Sequence, residues 1–85
     1  MVTGYVSGFS AHILVKEKNP VTLRKKIVEV LRIVFDKQEI YEGYSEIVVY
    51  PLWSEQAEYA IWLAQQVAEW EKERAQEESK EKVIV

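Results

Sequence analysis

This sequence predicts a small two-layer α/β (α+β) sandwich, in the order β-α-β-α, with a long C-terminal helix and a candidate short strand at its end. Three patterns predict it. Two β-favouring stretches lie at 5–16 and 44–50. Two longer stretches, 20–37 and 54–80, repeat apolar residues at helical spacing. No linker separates them, which makes alternating strands and helices one layered domain.

In the first stretch Tyr5, Phe9, Ala11, Ile13 and Val15 share one parity, while Ser10, His12 and Lys16 share the other. Gly8 interrupts it, as a bulge or as the turn of a hairpin over 2–15; one long bulged strand is the preferred reading. Asn19-Pro20 then marks a helix start, Asn19 as cap and Pro20 in the first turn. Leu23, Ile27, Val30, Leu31 and Val34 follow at helical spacing. With Val28, Ile33 and Phe35 the apolar arc of this helix spans roughly 220°. Residues 38–43 read as a connection. Ile47 and Val49 point one way along the second strand and Val48 and Tyr50 the other, so this strand is predicted to be central or covered on both faces. Ser54 is the expected cap of the second helix, whose apolar arc of roughly 200° includes Ala57, Ala60, Ile61, Ala64, Val67 and Ala68. From Glu71 onward the sequence is almost entirely charged, ending in Val83-Ile84-Val85. The reading is one domain over 1–70, a charged helical extension with an apolar tail over 71–85, and no internal repeat.

Composition narrows the function classes. The 85 residues hold no cysteine, so neither a disulfide nor a thiol nucleophile is available. A 48% hydrophobic content argues against disorder. No apolar run reaches the roughly 18 residues of a membrane span, and Met1–Ser10 lacks the basic start of a signal peptide. The expected setting is the cytoplasm, with no membrane partner. His12 is the only histidine and Asp36 the only aspartate, and no ligand spacing for a metal is visible. The chain is therefore expected to be no enzyme, with no cofactor and no metal.

The net charge of −3 conceals a polarity. Lys16, Lys18, Arg24, Lys25 and Lys26 surround the first turn into helix against Glu17 alone. Between Asp36 and Glu81 there are twelve acids and four bases. The basic turn is the candidate nucleic-acid site, able to meet phosphates near a helix start. Arg24, Lys25 and Lys26 are consecutive, however, and fan out about 100° apart around a helix.

The aromatic residues carry the leading expectation. Trp62 shares its helical angle with Gln66, Glu69 and Glu73, on the polar side of the second helix. Tryptophan is enriched where proteins bind one another, because it covers a large rigid area at small entropic cost. Tyr59, Leu63 and Trp70 extend the apolar face sideways. Trp53 could pack at the helix start or face a partner. Val83, Ile84 and Val85 could add a strand to a partner's sheet edge. The sequence thus predicts a small protein–protein interaction module, homodimeric through the second helix. Compact acidic adaptors and inhibitors, viral ones included, share such a composition. A nucleic-acid-binding regulator using the basic turn is the alternative.

Overall fold

Gly8 turns the first predicted strand back on itself. The structure, a computed structural model, describes residues 1–36, 38–51, 53 and 55–84, with 76–84 described by backbone alone. It forms β1 (Val2–Ser7) and β2 (Ser10–Val15), then α1 (Pro20–Val34), β3 (Glu39–Glu42), β4 (Glu46–Tyr50) and α2 (Glu55–Ile84). Ser7 pairs with Ser10, leaving Gly8-Phe9 as a two-residue turn, and Gly8 has φ +60°. Glycine first and a negative φ second match the type II′ geometry, whose twist suits a hairpin. The bulged single strand is thereby corrected to a hairpin, and the order becomes β-β-α-β-β-α.

The second hairpin was hidden in the predicted connection. Glu39–Glu42 pairs antiparallel with β4, and Gly43 N–H donates to the Glu46 carbonyl at 2.7 Å to close it. A four-residue strand with glutamate at both ends has low β propensity, and it forms because β4 supplies the ladder. The sheet order is β1-β2-β4-β3 and every pairing is antiparallel.

Both helices cover one sheet face. Val2, Ala11, Ile13, Val15, Ile47 and Val49 meet Leu23, Ile27, Leu31, Ala60, Leu63, Ala64 and Val67 in a single core. α2 runs over β1 and β2, and α1 over β3, β4 and β2. At Gly4 α2 comes close against β1: a Cβ built there would stand 2.8 Å from Ile61 Cγ2 and 2.9 Å from the His12 carbonyl oxygen. Ala57, Ala60 and Ala64 of α2 are core and Ala68 packs against it, which accounts for this close seat. The core covers only part of the wide apolar arc on each helix: Tyr59 and Trp70 of α2 stay about half exposed. In α1 the buried set is Pro20, Leu23, Ile27, Val28 and Leu31, while Ile33 stays 79% exposed. Asn19 occupies the cap position without a side-chain cap hydrogen bond. Ser54 lies outside the described residues. α2 continues as helix through Ile84, so the terminal strand expected at 83–85 is corrected to helix at 83 and 84. Val85 lies outside the described residues.

The chain repeats in structure although its sequence shows no repeat. An advance of 36 positions (12 to 48) carries the first β-hairpin and helix onto the second. It takes Ala11 to Ile47, Ile13 to Val49, Ile27 to Leu63, Val28 to Ala64 and Leu31 to Val67, all of them buried. The approximate two-fold axis passes between His12 and Val48, which face each other across β2 and β4. Between residues 2–35 and 38–71 only Tyr5 and Tyr41 coincide in type, so the repeat leaves almost no trace in the letters.

Candidate functional site

The three tryptophans all reach solvent: Trp53 is 67% exposed, Trp62 51% and Trp70 52%. At about 100° per residue, Tyr59, Trp62 and Trp70 fall along one shoulder of α2, beside the buried arc of Ala60, Leu63 and Val67. Tyr59 leans edge-on against Phe35 at the end of α1, with ring centroids 5.9 Å apart, and Trp62 tilts over Tyr59 at 5.8 Å. Phe35 is buried, so it fixes the base of this aromatic stack. Ile33 and Val34, which precede Phe35 in α1, are exposed. Leu63, expected on this surface, is buried in the core and takes no direct part. The side chains of Val83 and Ile84, and all of Val85, lie outside the described residues.

The basic turn divides. Lys16, Lys18 and Lys25 are exposed and Lys26 is half-buried. Arg24 turns inward instead: Nη1 donates to the Gly43 carbonyl, Nη2 lies 3.3 Å from Glu42 Oε1, and the side chain is only 12% exposed. It clamps α1 to the second hairpin, which removes it from any phosphate-binding set. An open groove of about 610 Å³ lies near the start of α1, lined by Met1, Glu17, Asn19, Lys26, Gln65 and Lys72 among others. Its rim carries both signs of charge, which gives a polyanion no uniform attraction.

The sheet face opposite the helices was not foreseen as a surface. One residue from each strand forms a row across it, in the order Tyr5, His12, Val48, Tyr41. Tyr5 stacks flat on His12, with centroids 4.7 Å apart and planes 2° apart. His12 Nδ1 approaches Glu46 Oε1 at 3.4 Å, an ion pair when the imidazole is protonated. Tyr41 and Tyr50 are about half exposed, whereas Val48 is buried between its neighbours in the row. The signal that could have found this face was the even parity of His12, Leu14, Val48 and Tyr50. Tyr5, of odd parity, joins them because a two-residue turn swaps parity between paired strands.

Among the described residues no group of three His, Asp or Glu side chains could hold a metal ion, and no helix is long and apolar enough to cross a membrane. Comparisons with protein families, curated proteins and solved structures return no match to this chain.

Proposed function

We propose that this chain is a non-enzymatic protein-interaction module of the cytoplasm, a homodimeric adaptor or inhibitor whose docking surface is the α2 shoulder. The observation that carries the reading is the exposure of all three tryptophans in a domain of 85 residues. Large aromatic surface left in water is unfavourable, and clustered apolar area of this kind marks interaction sites. Tyr59 and Trp62 are held by the stack on Phe35, so little side-chain freedom remains to be lost when a partner covers them. The acidic rim of α2 at Glu58, Glu69 and Glu73 favours a partner with basic residues around an apolar centre.

The test is affinity capture from the native host by wild type, Trp62→Glu and Trp70→Glu chains, read by mass spectrometry. A specific protein retained by the wild type should be lost or depleted at least tenfold with each variant, the effect of about 1.4 kcal/mol at a binding hot spot. A partner held equally by all three chains, or none held by any, refutes the reading.

A further inference from the structure

The two edges of the sheet are built differently. β3 is short, carries Glu39 and Glu42, and has Arg24 and Arg32 close to Glu42. Charge and brevity are how proteins keep an edge from pairing with another strand. β1 has neither: it runs for six residues as Val-Thr-Gly-Tyr-Val-Ser, and no Lys, Arg, Asp or Glu precedes Lys16. Met1 and Lys16 exchange both backbone hydrogen bonds, at 2.7 and 3.1 Å. Alternation along an antiparallel pair then turns the N–H and C=O groups of Val2, Gly4 and Val6 away from β2, toward the open edge. The chain confirms this phase at Val2, whose carbonyl accepts Gln65 Nε2 from α2 at 3.3 Å. Among the described residues, the outward groups of Gly4 and Val6 have no such cover.

We propose that β1 pairs antiparallel with β1 of a second copy, across a two-fold axis at Tyr5, joining two four-stranded sheets into one. The inference stands apart from the α2 shoulder, which it leaves free on both copies. In this register Gly4 of each copy faces Val6 of the other. These pairs exchange both hydrogen bonds, and the Gln65–Val2 contact stays in place. A register centred on Gly4 would set Val2 against Val6 and displace Gln65. Uncharged strands meet without repulsion, and the two tyrosines at position 5 become a directly opposed cross-strand pair. The helices fit as well. α2 straddles β1 and β2, so with strands 4.7–4.9 Å apart the two α2 axes come to about 10 Å, a normal packing distance. The occupant is a second copy because one strand then supplies both halves of a self-complementary edge. The Tyr5, His12, Val48, Tyr41 row would run unbroken across both copies.

The test is mass in solution by light scattering at micromolar concentration, with circular dichroism confirming the fold. The wild type should show twice the 10.0 kDa chain mass. Tyr5→Lys and Tyr5→Glu place like charges opposite each other and should each show one chain mass, while their equimolar mixture should return to two. Val6→Pro removes an outward N–H without touching the β2 ladder and should also show one. Trp62→Glu should keep two. A single-chain wild type, a folded Tyr5 or Val6 variant that stays paired, a mixture that stays single, or a single-chain Trp62→Glu overturns the proposal. If the Tyr5 variants do not fold, Val6→Pro decides. Loss of partner capture in Trp62→Glu with its mass unchanged would leave this seam standing, so the two readings fail separately.

Discussion

Replacing Gly4 by alanine probes the seat of α2 on the sheet. The added Cβ would lie 2.8 and 2.9 Å from two carbons of Ile61, and 2.9 Å from the His12 carbonyl oxygen. The first two contacts can relax by a shift of the Ile61 side chain. The third is backbone in the β2 strand and can relax only by moving the hairpin. Overpacking of this kind costs about 1–3 kcal/mol. Alanine recovers about 0.5–1 kcal/mol, because glycine loses more freedom when a strand forms. The net expectation is a loss centred at about 1 kcal/mol and at most about 2.5 kcal/mol, each kcal/mol lowering Tm by about 4–8 °C in a domain of this size. Ile61→Ala in the same background should relieve the side-chain contacts but not the carbonyl one. The double variant should therefore lose less than the two single variants together, by about 0.5–1.5 kcal/mol. Urea denaturation at one fixed protein concentration, with equal slopes, measures all four chains. A Gly4→Ala chain as stable as wild type, or strictly additive losses, would refute the close approach of α2 to β1.

Two further outcomes follow from side-chain placement. Ile27→Ala, at a fully buried site, should cost about 2–5 kcal/mol, whereas Ile33→Ala, 79% exposed one and a half turns later, should stay within about 0.5 kcal/mol in the same denaturation assay. Arg24→Met should cost about 1–3 kcal/mol, since the half-buried Gly43 carbonyl loses its donor and Glu42 keeps only the more distant Arg32 at 4.0 Å. Hydrogen exchange should then show faster opening at the β3–β4 turn than elsewhere in the sheet, and uniform protection would contradict the clamp.

The layered class and both helices were legible because apolar spacing reports directly on which side of a helix is buried. Leu23, Ile27 and Leu31 illustrate it, and so does the central position of β4, read from Ile47 to Tyr50. What escaped was information that sequence carries only through pairing. Gly8 looks the same as a bulge or a turn until Ser7 meets Ser10. Glu39 and Glu42 disguise an edge strand, because an edge wants the charges that a strand pattern does not. Arg24 reads as one of five cations until a carbonyl and a carboxylate meet it. On α2 the surface aromatics Trp62 and Trp70 were found from their angles alone. Leu63 was misplaced because it lies only about 20° round the helix from Trp70, at the border of shoulder and core.

Each helix roofs the hairpin that belongs to the other half of the chain: α2 lies over β1, and α1 over β3. A ribosome therefore releases the opening hairpin well before its roof exists. The greasy side formed by Val2, Ala11 and Ile13 has to wait about fifty residues more before Leu63 and Ala64 arrive. Cut between α1 and β3, the polypeptide would yield two fragments, each holding the larger part of the other's lid. Such fragments should be disordered alone and should regain structure only when mixed.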